Sequence, residues 1–135
     1  MKYIHIISAL TGVVLAAIIE ALGGWDKSLE LLIAVMVSDY VTGVLCAATG
    51  NSKKSSGLNS QIGFKGLCKK LAMLVAVFLA TCIARNTNFS EIRDIFIFGF
   101  VSNELLSIVE NFGLMGIPLP DKIMDIIEVL KERIE

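Results

Sequence analysis

Four long apolar stretches constrain this chain more than any other feature of its sequence. A helix that crosses the hydrocarbon core of a bilayer needs about 20 mostly apolar residues. The stretches run over residues 4–22, 29–49, 67–84 and 95–112. The pattern predicts an all-α fold, an integral membrane helical bundle with four transmembrane helices.

The composition supports a membrane location. Of the 135 residues, 55% are hydrophobic without counting glycine, and only 19% are charged. Soluble domains hold roughly 45–50% apolar residues with glycine included and about 25% charged residues. A disordered chain is excluded, and a water-soluble helical bundle is disfavoured because so short a chain cannot hide this much apolar surface.

The chain divides into a membrane helical domain, residues 1–112, and a C-terminal tail, residues 113–135. Pro120 precedes the tail's last segment, as is common before a helix. The apolar residues of that segment recur on one helical face: Ile123, Ile126, Ile127, Leu130 and Ile134. The tail is predicted to be a short amphipathic cytoplasmic helix that packs on the bundle or on a copy of itself.

The distribution of Lys and Arg predicts the orientation, because cytoplasmic loops carry an excess of both. Four spans with both termini in the cytoplasm place nine of the 12 basic residues inside and three, Lys27, Arg85 and Arg93, outside. Three spans would divide them six to six. The bias therefore favours four spans, although a fourth segment that re-enters or lies on the membrane surface stays open.

The sequence offers little for catalysis or cofactor binding. Cys46, Cys68 and Cys82 are scattered singly, His5 is the only histidine, and no phosphate-binding loop or hydrolase motif occurs. The net charge of −1 gives no basic field for nucleic acid. We therefore expect no enzyme activity, no cofactor, no metal site and no nucleic-acid partner.

Asp39 is the most informative polar residue, because it lies near the middle of the second span. A carboxylate there costs about 2.5–3.5 kcal/mol on insertion scales and should face another helix or water. At about 100° per residue, it shares one small, polar face with four others. These are Thr42, Gly43, Cys46 and Gly50. Asp39, Thr42 and Gly43 are candidates for a pore-lining or intersubunit surface; a buried Asp that serves packing alone is the alternative.

The fourth stretch carries a second polar arc, which either lines water or lies flat at the membrane interface. Its members are Asn103, Glu104, Ser107, Glu110 and Asn111. Small residues at helical spacing allow close helix approach, so they are candidates for helix packing. These are Gly12 and Ala16 in the first span and Ala72, Ala76 and Ala80 in the third.

The connection before the third span is basic and is predicted to be a cytoplasmic loop. Its lysines are Lys53, Lys54, Lys65, Lys69 and Lys70. Each could add about 1 kcal/mol of attraction to anionic lipid. The alternative is that they act only as a topology signal.

Two strings of residues carry a resemblance to a known family. The first is Asp39-Tyr40-x-Thr42-Gly43, followed by Ser60-x-x-Gly63-x-Lys65-Gly66-x-x-Lys69-Lys70. The second is Asn103-Glu104-Leu105-Leu106-Ser107-Ile108-x-Glu110-Asn111-x-Gly113-x-x-Gly116-Ile117-Pro118-x-Pro120. In this order, over about residues 29–134, they resemble the phage holin family that includes clostridial toxin-secretion holins.

The resemblance implies a small multi-pass protein of the bacterial cytoplasmic membrane. Holins associate with their own copies and open lesions in phage lysis or toxin secretion. Through these lesions a cell-wall hydrolase (endolysin) or a large toxin passes without a defined binding site. The implied partners are membrane lipid and further copies of the chain.

Two other functions stay open on the residues alone. One is a small four-span proton-coupled transporter that works as a dimer and uses Glu20 or Asp39 as its proton site. The other is a non-catalytic membrane scaffold that recruits partners through its tail.

Overall fold

The computed structural model describes residues 2–50 and 60–134, and the described residues form five helices. They are α1 (Lys2–Ala21), α2 (Lys27–Ala48), α3 (Ser60–Asn86), α4 (Ile92–Leu114) and α5 (Asp121–Ile134). The all-α prediction is confirmed. Helix α3 begins at Ser60, earlier than the predicted start of the third span at residue 67, so part of the predicted basic loop is helical.

Within the described ranges, three helices are long and apolar enough to cross a membrane: Tyr3–Ala21, Lys27–Ala48 and Gly63–Asn86. Helix α4 has 23 residues, which at about 1.5 Å per residue gives it a comparable length. The chain is therefore a helical membrane protein, and its dimensions are compatible with a four-span bundle.

Helices α2, α3 and α4 form the packed part of the protein. Helix α4 packs against both α2 and α3, which meet each other at fewer residues. Helices α2 and α4 run parallel, because Asp26 pairs with Arg93 near their starts and Thr42 pairs with Asn111 near their ends.

The apolar core lies mainly between the starts and the midpoints of α2 and α4. Leu29, Leu32, Val77 and Ile97 are at most 1% exposed there. The buried residues of α4 recur every three or four positions, and Leu29, Leu32 and Val35 of α2 do the same, so one stripe of each helix faces the bundle. Many other apolar side chains of these helices are exposed, among them Leu31, Val75 and Phe98, as expected of helices in contact with lipid.

Helix α1 lies apart from this bundle. Every residue from Tyr3 to Ile18 is exposed, and Leu22, just after the helix, is the first buried residue. In the described part of the chain a Cβ at Gly12 would meet nothing within 4 Å, and Ala16, the other predicted packing residue of this helix, is exposed. Their role in packing stays a prediction for contacts with other molecules.

Candidate functional site

A charged cluster lies inside the bundle, formed by Lys70 of α3, Asp39 of α2 and Glu104 of α4. The ammonium group of Lys70 donates to Asp39 Oδ2 at 2.8 Å and to Glu104 Oε2. The side chains of Lys70, Asp39 and Glu104 are 10%, 16% and 0% exposed. One lysine thus joins all three packed helices at one point.

The cluster lies deep in the bundle. Asp39 comes 12 residues after the start of α2 at Lys27, and Glu104 comes 12 residues after the start of α4 at Ile92. At about 1.5 Å per residue both carboxylates lie about 18 Å along their helices. In a membrane-spanning bundle this depth is close to the middle of the bilayer, where charges are expensive and usually functional.

The hydrogen bonding of the cluster is incomplete. Among the described residues, Asp39 Oδ1 and Glu104 Oε1 are buried without a hydrogen-bond partner. The exposed Lys69 lies 3.7 Å from Glu104 Oε1, which is ion-pair but not hydrogen-bond distance. Two carboxylates are therefore balanced by one buried and one exposed ammonium group, and the arrangement depends on Lys70 remaining in place.

A second polar contact joins α2 to α4 nearer their C-terminal ends. Asn111 Nδ2 donates to Thr42 Oγ1 at 3.1 Å, and the Thr42 hydroxyl donates to the carbonyl of Asp39 at 3.1 Å. Gly43 lies beside the same amide: a Cβ there would be 3.8 Å from Asn111 Nδ2. This contact and the charged cluster form a continuous polar strip between the helices.

The structure divides the predicted polar arc of α4. Glu104 is fully buried in the charged cluster, and Ser107, Glu110 and Asn111 are half-buried. Asn103, by contrast, is exposed on the outer side of the helix. The arc therefore faces the bundle over most of its length and leaves it at Asn103.

Of the predicted elements, the basic loop differs most from the structure. Lys65, Lys69 and Lys70 lie in α3, while Lys53 and Lys54 fall outside the described residues. Lys65 and Lys69 are exposed, but Lys70 points into the bundle because it shares the helix face of Met73 and Val77, three and seven residues later. Its assignment to a cytoplasmic loop is corrected to a buried position in α3.

The predicted alanine ladder of α3 is only partly packed. Ala80 is buried, Ala76 is half-buried and Ala72 is exposed. The packed stripe of α3 instead follows Lys70, Met73, Val77 and Thr81, because the helix presents residues at three- and four-residue intervals to α4.

At the other end of the bundle, Arg93 forms an arginine clamp with the α1–α2 connection. Its guanidinium donates to the Leu22 carbonyl and to Asp26 Oδ2, both at 2.7 Å, and reaches the Gly24 carbonyl at 3.5 Å. The hydrogen bond from Arg93 is the main cause that lowers the pKa of Asp26, which also caps α2 by accepting from the Leu29 amide. The clamp thus fixes the connection to the start of α4.

Sequence reasoning gave Arg93 only a topological role and missed the clamp. The available signal was the Gly23-Gly24 pair followed by Asp26, a tight turn with an anion at the level of Arg93. A further contact, Arg85 to Glu20 at 2.7 Å, joins α3 to the end of α1, but both side chains are at least half exposed.

Among the residues that the structure describes, no group of three or more His, Cys, Asp or Glu side chains could hold a metal ion. The charged cluster joins three helices through oppositely charged groups, so it can hold a membrane bundle closed.

Comparison with known proteins gives a consistent result. The sequence profile described as the bacteriophage holin family matches residues 16–132. An uncharacterised protein of Halalkalibacterium halodurans is 36% identical over 128 residues, covering 87% of this chain and 89% of that protein. An uncharacterised protein of Listeria monocytogenes is 36% identical over 110 residues, covering 78% and 72%.

A more distant relative has a functional name. A protein of Bacillus phage phi105 named as a probable holin is 27% identical over 112 residues, covering 80% of this chain and 77% of that protein. No solved structure matches the chain.

Proposed function

We propose that this chain, which belongs to the bacteriophage holin family, assembles with copies of itself in a bacterial cytoplasmic membrane and permeabilises it. The lesion would let an endolysin or a large toxin cross, without a binding site for that cargo and without enzymatic chemistry. Four spans, with α4 as the last, and both termini in the cytoplasm agree with the distribution of basic residues.

The observation that carries the proposed mechanism is the burial of the charged cluster between α2, α3 and α4. In a single chain the carboxylates of Asp39 and Glu104 are hidden from lipid and share an ion pair with Lys70. A closed bundle of this kind can be inserted without harm to the membrane. It also encloses polar side chains that would face water if the bundle opened.

The proposed transition is an exchange of contacts between copies. At high density, bundles open and α2 and α4 of neighbouring copies form larger rings. Asp39, Thr42, Glu104, Ser107 and Asn111 then line water, together with Gly43 and Glu110. A buried carboxylate is unfavourable in lipid and far less so beside water. Polar residues that differ in environment between two states bias the equilibrium between them.

The test of this function is induced expression in bacteria while the leakage of solutes of graded size is followed. The proposal predicts a silent period, then abrupt loss of viability and release of dyes and folded proteins together. Cells that remain sealed and viable at high membrane levels of the protein would contradict it.

The residue-level test replaces Asp39 or Glu104 by Leu, and Asn103 by Leu as the matched control. Replacing either clustered carboxylate should shift the time of leakage while carbonate washing still leaves the protein in membranes. The exposed Asn103, one position from Glu104, should leave the timing nearly unchanged. Unaltered timing in both the Asp39→Leu and the Glu104→Leu variants would refute the pore-facing role.

One observation favours a second candidate, a proton-coupled transporter working as a dimer. Asp39 keeps a buried oxygen without a hydrogen-bond partner among the described residues, as a proton-binding carboxylate could. Glu20 is less suited, because its side chain is 72% exposed and paired with Arg85. A transporter would show saturable flux of a small solute and no release of proteins, which the same leakage experiment distinguishes.

A further inference from the structure

Helix α5 carries an apolar strip that no described part of the chain covers. Every α5 residue whose burial the structure describes is exposed, and Ile123 and Ile126 of this strip are 40% and 61% exposed. By sequence spacing, Ile127, Leu130 and Ile134 continue the face of Ile123 and Ile126. The helix follows α4 after residues 115–120, which contain Gly116, Pro118 and Pro120.

The charged positions of α5 are sorted around this strip. At about 100° per residue, Lys122 and Arg133 fall on one border of the apolar face and Lys131 falls on the other. The acidic positions occupy the middle of the opposite face: Asp121, Asp125, Glu128 and Glu132. Basic residues thus border the apolar face on both sides, and acidic residues lie farthest from it.

We infer that α5 lies in the plane of the bilayer surface at the C-terminal end of α4 and binds phospholipid. Amphipathic helices of this kind bury their apolar face about 5–10 Å into the boundary between headgroups and acyl chains. In such helices, lysine and arginine beside the apolar face can lay their aliphatic stems over the apolar layer while their charges reach the lipid phosphates. The acidic face then points to water.

The position of α5 in the chain favours lipid as the occupant. Residues 115–120 can span at most about 20 Å, so α5 stays close to the end of a membrane helix. A tether this short gives the apolar strip a high effective concentration at the bilayer surface. Binding therefore needs little intrinsic affinity.

The charge pattern disfavours a second copy of α5 as the occupant. Paired helices usually place opposite charges along the borders of their shared apolar seam. Here both borders are basic, so two copies joined through their strips would bring like charges together. This inference rests on the membrane location of the chain and not on permeabilisation, so either can fail without the other.

The test uses the full chain reconstituted in phospholipid vesicles, with a single tryptophan as the probe. In a Trp25→Phe background, Ile126→Trp places the probe on the apolar strip and Asp125→Trp places it on the acidic face. Quenching by brominated phospholipid reports contact with acyl chains, and quenching by acrylamide reports contact with water. We expect lipid quenching at position 126 to exceed that at position 125 roughly threefold or more.

A second variant controls for the possibility that the introduced tryptophan itself draws the helix to the bilayer. Adding Ile123→Asp to the Ile126→Trp chain should lift the strip from the bilayer, lowering lipid quenching and raising acrylamide quenching. Equal acrylamide quenching at positions 125 and 126 would overturn the inference, because the helix would lie in water. Protection of position 126 from both quenchers would also overturn it, because protein rather than lipid would cover the strip.

Discussion

Replacing Lys70 by Met is expected to destabilise the α2–α3–α4 bundle by about 3–5 kcal/mol, the range found when one partner of a buried ion pair is removed. The apolar methionine fills similar space but leaves Asp39 and Glu104 buried without their shared counter-charge. Unfolding of the purified protein in detergent micelles measures the loss. In cells the same variant should leak earlier, because the closed bundle has lost the group that joins its helices.

Lys69→Met is the matched control, since Lys69 is the adjacent residue and also lies near Glu104. Its side chain is 57% exposed, and its ammonium is 3.7 Å from Glu104 Oε1. This contact is longer than a hydrogen bond and Lys69 is not packed between the helices, so this variant should lose clearly less stability than Lys70→Met. Equal losses in the Lys70→Met and Lys69→Met variants would show that burial of Lys70 is not what stabilises the bundle.

A double substitution separates charge from packing. Lys70→Met combined with Glu104→Gln removes one carboxylate together with the lysine, so less uncompensated charge remains. The double variant should be more stable than the sum of the two single losses predicts, with a coupling energy of about 1–3 kcal/mol. Strict additivity would mean that the two side chains do not interact.

The second large effect is expected at the arginine clamp. Arg93→Met removes the donor to the Leu22 carbonyl and to Asp26, and leaving a buried acceptor unpaired costs about 1–3 kcal/mol. The total loss should be about 3 kcal/mol, and the α1–α2 connection should become sensitive to protease. Arg85→Met is the control, because that guanidinium is half exposed and should lose at most about 1 kcal/mol.

The two glycines of the connection test the same clamp without removing a charge. Both have left-handed backbone angles, φ +97° at Gly23 and +89° at Gly24, where alanine is strained. A Cβ at Gly23 would lie 2.5 Å from Arg93 Nε, whereas one at Gly24 would meet nothing within 4 Å. Gly23→Ala should therefore be clearly worse than Gly24→Ala; similar losses would argue against the clamp's close packing.

The helices and their apolar character could be predicted because they depend on local composition. A stretch of about 20 apolar residues has few options other than a helix in a membrane. The polar face of α2 was also predictable, because Asp39 and Thr42 recur at helical spacing. What spacing could not show is which of these groups find partners inside one chain.

Lys70 shows why the centre of the site was not predicted. It follows four other lysines and three glycines in residues 51–69, and such a segment has the composition of a loop. Its burial depends on α3 starting at Ser60 and on the alignment of α3 with α4, a tertiary relation between residues 34 positions apart. The Lys70, Met73 and Val77 spacing was the one local signal of an inward-facing position.

The independence of α1 was likewise not predictable, because its composition matches that of a packed membrane helix. The structure attaches it to the bundle through its C-terminal end, by the arginine clamp and by Glu20. Most of α1 is thus free to contact lipid or another molecule.

Water access to Cys46 tests the central claim most directly, because this thiol lies on the α2 face of Asp39 and Thr42 and is 2% exposed. In a chain with Cys68→Ser and Cys82→Ser, Cys46 is the only thiol. Maleimides react with the thiolate, which forms only where water reaches the sulfur. N-ethylmaleimide crosses membranes, so it can be applied to intact cells before and after leakage begins.

The matched control adds Cys46→Ser to the Cys68→Ser and Cys82→Ser changes and introduces a single thiol by Val44→Cys. Val44 lies on the outer side of α2, about 200° from Cys46 around the helix, and is 37% exposed. We predict that Cys46 is unreactive before leakage and becomes reactive at its onset, while the Val44→Cys thiol stays unreactive throughout. If Cys46 remained unreactive during full release of cell proteins, the buried polar face would not line the lesion and the proposed mechanism would be contradicted.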